Sequence, residues 1–408
     1  MKIFRFFLVR IFFKKPIVAV TMLVLLLLTN YIAFSTTRTI VSTSEGYSQV
    51  SRLNVPGVYI ANLDPNSDID IDSIKVKSMQ DVYDRLNDTY RYGLFTDGYI
   101  VDLKNSYDIK VPLAYMNEKY AELNPFECAE GSGLTYQYSL DSETVLPVLI
   151  GRGLADEYPV GTQFGVHDPV LDREIQYKVS GILKENSAHS NLYALDSKQY
   201  YNFSIVVPIN ETFIKEANIP FKINGLMDLV VTDTNKREIS KLADDIHKTV
   251  GIKLNFYSQQ ENIDFYNEYF VSSLWFLCIV TAILLAILVI VSVWSSLVAV
   301  KLMIKDFTIN LLVGLSYSGV RKVFYGFYLT LTSISLTGIC AVAAYYRYQS
   351  WIFKDPLFIT FGFAGGLVMM DWLALLVALL VDLFLSLVIV QVLMWRIKRV
   401  PISVGVLQ

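Results

Sequence analysis

Four stretches of the chain are almost continuously apolar. Residues 17–34, IVAVTMLVLLLLTNYIAF, carry no charge. Similar runs cover about 272–300, 323–346 and 372–395, the last reading WLALLVALLVDLFLSLVIVQVLMW. A helix needs about 20 apolar residues to cross a bilayer at 1.5 Å per residue, so each run predicts a transmembrane helix. Residues 357–370, LFITFGFAGGLVMM, are apolar but rich in Gly, and read as a loop or an irregular lead-in to the fourth span. The predicted order is a basic N-terminus (1–16), span one (17–36), a large segment (37–270), span two (271–300), a loop (301–322), span three (323–346), a short loop (347–371), span four (372–395) and a tail (396–408). The first run is longer than the 7–15 apolar residues of a signal peptide and no A-x-A site follows, so it predicts an uncleaved anchor.

Between spans one and two the pattern becomes that of a packed α+β domain. VPGVYIANL (55–63) predicts a buried strand, and SMQDVYDRLNDTYR (78–91) a helix with Val82 and Leu86 on one face and Ser78 with Asp81 as a capping box. GYIVDL and YDIKVPLAYM then read as strands. A similar unit closes the segment. LMDLVVTD predicts a strand, and NKREISKLADDIHKTVG a helix started by Asn235 and Glu238, striped by Ile239, Leu242, Ile246 and Val250, and stopped by Gly251. IKLNFY predicts the next strand. Residues of about 145–208 alternate in short runs between Gly, Pro and Asp, which predicts a β-rich insertion. SQQENIDFYNEYF (258–270) predicts a helical stalk running into span two. The fold class is therefore an α+β membrane protein: four transmembrane helices, with two β-α-β units and a β-rich insertion between spans one and two.

Charge gives this layout a direction. Residues 37–270 hold 21 Lys+Arg and 34 Asp+Glu, a net of −13, while the remainder is +10, for the chain's −3. The N-terminus, the 301–322 loop (Lys301, Lys305, Arg321, Lys322) and the tail (Arg396, Lys398, Arg399) are basic. By the positive-inside rule these lie in the cytoplasm and 37–270 lies outside. Of three cysteines, only Cys128 falls in that outer segment, so it holds no internal disulfide and depends on a core. The N-x-[ST] sequons at Asn87, Asn202 and Asn210 read as chance occurrences.

Catalytic and metal signatures are weak. No G-x-x-x-x-G-K-[ST] loop occurs, so ATP chemistry, if used, is expected on another chain. GLSYS (314–318) misses the last Gly of a G-x-S-x-G elbow. DPNSDIDIDS (64–73) has Ile69 where a calcium loop needs Gly and Lys75 where it needs Glu, and reads as an acidic solvated turn. His167, His189 and His247 are far apart in sequence. No catalytic residue, metal ligand, bound cofactor or nucleic-acid partner is expected. Asp382, mid-way along span four, is the least expected residue, since a carboxylate there costs about 3 kcal/mol by insertion scales unless it faces protein or water. It predicts either a gate or proton-linked site, or a hydrogen bond to the hydroxyl-rich third span (Thr330, Thr332, Ser333, Ser335, Thr337).

The stretch KDFTINLLVGLSYSGVRKVF (305–324) carries more than a connector needs. Ile309, Leu312 and Val313 form an apolar stripe with polar flanks, followed by Gly314 as a helix stop. By itself this fits an amphipathic helix at the lipid interface or one that docks in a protein cleft.

In the insertion, LIGRGLADEYPVGTQF followed by YKVSGILK resembles the core-domain motifs of MacB/FtsX-like ABC-transporter permeases. So do the layout of one span, a large exterior domain and three spans, the register of Asp306, Ile309, Gly314, Ser316 and Val320, and the tail VPISVGVLQ. The resemblance implies that Asp306, Ile309, Leu312, Val313, Gly314 and Ser316 couple to a separate ABC ATPase that carries ATP and Mg. It also implies a second permease subunit, identical or not, and an accessory exterior protein. The activity implied is export or extraction of a peptide, lipoprotein or other amphiphile. Two alternatives stand beside it: FtsX-like signalling that activates a cell-wall hydrolase, and a membrane-anchored receptor.

Overall fold

The computed structural model describes residues 16–399 apart from 142–144, 192, 313 and 315. It divides into two units. The membrane-type unit comprises residues up to 41, 272–346 and 369 onward; the α/β unit comprises 42–271 and 347–368.

Among the described residues four helices are long and apolar enough to cross a membrane. They are α1 (Pro16–Val50), α8 (Ser272–Leu312), α9 (Tyr317–Ile352) and α10 (Met369–Arg399). All four extend beyond their apolar runs. α1 passes residue 36 and continues to Val50. α8 continues through most of the segment expected to be a loop, which shortens the connection to α9 to 313–316. Each run marks only the part of a helix that must be apolar, and polar residues continue the backbone hydrogen bonding outside it. Within this unit Met22, Leu26, Leu288, Phe327, Leu331 and Leu393 are among the residues of one buried apolar cluster.

The α/β unit contains two sheets built from interleaved pieces of chain. The first joins β1 (Tyr59–Leu63), β2 (Arg91–Gly93), β12 (Val230–Thr232) and β13 (Leu254–Ser258) in the order β13-β1-β12-β2. Its neighbours are all antiparallel. β1 and β2 are connected through α2 (Val76–Thr89), and β12 and β13 through α6 (Lys236–Val250). The two β-α-β units expected from sequence thus interlock, each placing a strand between the two strands of the other, a split β-α-β arrangement.

α6 follows its sequence signals closely. Asn235 accepts from the N–H groups of Arg237 and Glu238, and Gly251 follows the helix at φ 77°. Ile239, Leu242, Ile246 and Val250 are all buried. Each such side chain contributes about 1.5–3 kcal/mol on burial. α2 departs from expectation at its start. It begins at Val76 with Lys75 as the flanking residue and no side-chain cap, so Ser78 lies inside the first turn and forms no capping box. Its buried face, Met79, Val82, Tyr83 and Leu86, contains both predicted positions.

The second sheet is larger than the expected 145–208 insertion. It includes β3 (Phe95–Val101), β4 (Val111–Asn117), β5 (Cys128–Gly131), β6 (Val145–Ile150), β7 (Gln163–Asp168), β8 (Arg173–Leu183) and β11 (Ile205–Ile209). The order is β3-β4-β11-β6-β8-β5, with β7 also on β8. β3 and β4 join it because β4 pairs in parallel with β11, from Leu113 opposite Ile205 onward. That pairing spans most of the insertion and leaves no local signal. A hairpin of β9 (Ala188–Asn191) and β10 (Ala194–Tyr200) precedes β11. Short helices α3 (Glu118–Leu123), α4 (Glu211–Glu216) and α5 (Ile219–Met227) complete the unit.

The predicted stalk is helical. α7 (Gln259–Phe265) starts at a capping box of Ser258 and Glu261 and is followed by a π-helical stretch, Tyr266–Val271, that leads to α8.

Candidate functional site

Residues 347–368 are not a free loop. They belong to the α/β unit and supply Ile359, fully buried, to its main core. Trp351 and Phe361 pack on Phe203, with ring centroids 5.9 and 5.7 Å away. Asn202 and Asn186 form the polar half of the seat. Asn202 Nδ2 donates to Ile359 O at 2.9 Å and to Asn186 Oδ1 at 2.9 Å. Asn186 Nδ2 donates to Phe361 O at 2.7 Å, and its Oδ1 accepts from Phe361 N at 2.8 Å. Tyr200 N donates to Leu357 O at 2.8 Å. An asparagine serves well here because one amide both donates and accepts against an irregular backbone. Asn202 is 1 % exposed, which closes that sequon to modification in the folded state.

The LIGRGLADEYPVGTQF motif lies beneath this seat. Gly151 N donates to Ser204 O and Gly153 N to Asn202 O. A Cβ on Gly151 would fall 1.9 Å from Tyr201 O, so the close approach of the two chains requires glycine. The motif thus fixes the backbone carrying Asn202 and Phe203, and through them the 347–368 strap. Sequence reasoning missed the strap because its partners lie some 150 residues earlier. Two aromatic residues, Trp351 and Phe361, in a nominal loop were the available signal.

The turn between α8 and α9 holds the expected coupling residues. Asp306, Ile309 and Leu312 lie on the last turns of α8, where the backbone alone is described, and Val313 lies outside the described residues. Gly314 has φ 105°, a left-handed value that suits glycine. Ser316 Oγ accepts from Gly319 N at 3.2 Å, and Ser316 O accepts from Val320 N, so this residue caps α9.

Asp382 is 1 % exposed in the membrane-type unit. Asn30 of α1 donates through Nδ2 to Asp382 Oδ2 at 2.7 Å and to Ser335 Oγ of α9 at 3.0 Å. Three helices therefore meet at one polar cluster. Of the third-span hydroxyls named from sequence, Ser335 bonds to Asn30 and Thr332 reaches Asp382, whereas Thr330 and Ser333 bond to carbonyls of their own helix. In the same unit Arg38 pairs with Asp371 at 3.1 Å, joining α1 to the first turn of α10.

The three histidines do not meet. His167 contacts Asp172 beside the β7–β8 turn, His247 approaches Gly251 O at the end of α6, and His189 is in the β9–β10 hairpin. Asp64 accepts from Asn66 N within the acidic turn at 64–73. No group of three potential metal ligands occurs among the described residues.

These features define a multi-pass membrane protein with a large mixed α/β unit inserted after the first of four spans. Among solved structures, the chain is similar to the extracellular domain of the noncanonic ABC-type transporter YknZ from Gram-positive bacteria, at 12% identity and a TM-score of 0.30 over 49% of this chain and 100% of that one. It is also similar to the periplasmic region of MacB from Actinobacillus actinomycetemcomitans, at 15% identity and a TM-score of 0.33 over 55% and 98% of the two chains. No family model and no curated protein matches the chain.

Proposed function

We propose that this chain is the membrane subunit of an ABC transporter of the MacB/FtsX type, driven by an ATPase on a separate polypeptide. The observation that carries this reading is the number of connections between the two units. The chain passes from one to the other at 41/42, 271/272, 346/347 and 368/369, so the outer end of every span leads directly into the α/β unit. A receptor that only holds its binding domain at the membrane needs one such connection. Four of them, one pair closed by the Asn202 and Trp351 seat, suit a protein in which movement of the spans must reach the exterior domain. The +10/−13 charge division supports placing that domain outside and both termini in the cytoplasm.

In this reading the ATPase docks at 305–316 on the cytoplasmic side. A second copy or a related subunit completes the transporter, and the cargo is a peptide, lipoprotein or other amphiphile handled outside the membrane. ATP and Mg belong to the partner. Substituting Leu312 and Val313 by Asp would force charge into the docking cleft and should release the ATPase that copurifies with the full-length chain. Retention of ATPase by a folded double variant, or absence of any copurifying ATPase from the unaltered protein, would reject the proposal.

A further inference from the structure

The α/β unit contains a cavity of about 350 Å³ between the start of β3, the β9–β10 hairpin and the end of α5. That volume is within the range of small-ligand sites and far exceeds a single ion. Two carboxylates line it, Asp97 from β3 and Asp228 after α5. Tyr201 donates to Asp97, and Asn191 Nδ2 donates to Asp228 Oδ1 at 3.0 Å. Among the described residues no Lys or Arg forms an ion pair with either. Burial pushes the Asp97 carboxyl above its ordinary range; Asp228 is exposed at the cavity rim, and partial desolvation with the nearby charge of Asp97 raises its carboxyl as well.

The remaining wall has two notable features. Ser190, 2 % exposed, is a lining residue, and its buried hydroxyl has no hydrogen-bond partner among the described residues. Phe95 stacks against His189 with centroids 4.4 Å apart and against Tyr120 at 5.2 Å, which presents aromatic surface beside the acids. His189 cannot supply the missing charge, because burial lowers its pKa to about 4 and leaves it neutral near pH 7. Leu53, Met227 and Val230 make other parts of the lining apolar.

We infer that this cavity binds an alkylammonium group, a short apolar stem ending in a primary amine. The cation would pair with Asp97 and Asp228 and donate to Ser190 Oγ, while its stem would rest on Phe95, Leu53 and Met227. Charge-assisted hydrogen bonds and a neighbouring aromatic face both favour such a group. A divalent cation fits less well, since the described residues include no cluster of three ligating side chains. The same chemistry is offered by a free aliphatic amine and by a lysine side chain of a peptide. The inference does not depend on the transporter reading, because it uses residues of the α/β unit alone.

Calorimetry on the full-length protein in lipid nanodiscs tests it, after subtraction of heats from protein-free nanodiscs. The probes are n-pentylammonium, neutral n-pentanol and doubly blocked lysine, Nα-acetyl-L-lysine N-methylamide. At least one amine should bind saturably, and at least tenfold more tightly than pentanol. Asp97→Asn and Asp228→Asn should each weaken it at least tenfold. Ser197→Trp, at an exposed lining position, should block entry without removing either acid. Melting temperatures identify variants that fail to fold. Binding of blocked lysine as tight as pentylammonium or tighter would identify a peptide side chain as the source; preference for the bare amine would identify a small amine. Equal affinity for pentanol, unchanged binding in the folded variants, or no saturable binding of either amine would overturn the inference.

Discussion

Asn30 and Asp382, on the first and last spans, are joined by a 2.7 Å hydrogen bond from the amide to the carboxylate. The same amide reaches Ser335 on the third span, so one polar side chain links three helices. Such bonds contribute about 0.6 kcal/mol on average in membrane proteins and up to about 1.7. Stranding a buried partner costs more. Asn30→Leu should therefore destabilise the protein by about 1–3 kcal/mol, and adding Asp382→Leu should recover part of the loss. Unfolding in mixed micelles measures this cycle, and strictly additive losses would contradict the coupling. In the transporter reading, Asp382→Asn should retain activity, because this residue serves helix packing; loss of activity in a folded variant would point instead to a proton-binding role.

Asn202→Ala should loosen the strap. Its removal deletes the amide that holds Ile359 O and supports Asn186. A cost of about 1–3 kcal/mol is expected for the buried groups left unpaired. Hydrogen exchange at residues 355–362 should accelerate well before the rest of the unit. Unchanged protection there would show that Trp351, Ile359 and Phe361 hold the strap without it.

Acid should weaken the β9–β10 region through His189. Its folded pKa, about 4, lies below the ordinary 6.5, so the folded state binds fewer protons in this interval. Stability from this group is complete above pH 6.5 and is lost as pH falls toward 4. The full loss is about 3 kcal/mol at one 1.36 kcal/mol step per pKa unit. Asp97 and Asp228 act oppositely. Their raised pKa values contribute stability that is present at low pH and lost as pH rises through the folded values. His189→Gln should remove the histidine component, so the difference in melting temperature between wild type and variant should change between pH 7 and pH 4. A constant difference would contradict a neutral buried histidine.

The topology predicts that Ser187 reacts with an impermeant thiol reagent in intact cells after conversion to cysteine, and that Ser316 and Ser403 do not. The background must carry Cys128→Ser, because that thiol is partly exposed. Labelling at Ser316 or Ser403 would invert or break the topology.

Insertion of Gly-Gly-Ser after Phe270 interrupts the π-helical stretch that joins α7 to α8. In the transporter reading, if movement passes along this helix, the α/β unit should still fold and the proposed ATPase partner should still bind, while coupled activity fails. Full activity would assign transmission to α1 or to the strap.

Local signals explain what the sequence revealed. α6 carried its cap, stripe and stop within one segment, and the apolar runs marked all four spans. The seven-stranded sheet was only partly legible, because the pairing of β4 with β11 connects residues about 90 positions apart. Asp382 stood out as a charge among aliphatic residues, but Asn30 did not, since a lone amide in an apolar run has no period to break. The 347–368 segment looked like a connector because its length and glycines fit one; only its partners give it a structural role.

That segment also sets an order of assembly. Residues 347–368 are synthesised after the second and third spans, yet Ile359 is part of the α/β core. A ribosome has therefore made most of the long apolar helices before the α/β core can close. Until then Phe203 and the hydrogen-bonding edges of Asn186 and Asn202 stay uncovered. Completion of the α/β unit thus reports that the third long apolar helix has been made, and a nascent chain stalled before residue 347 would present an open apolar seam to chaperones and proteases.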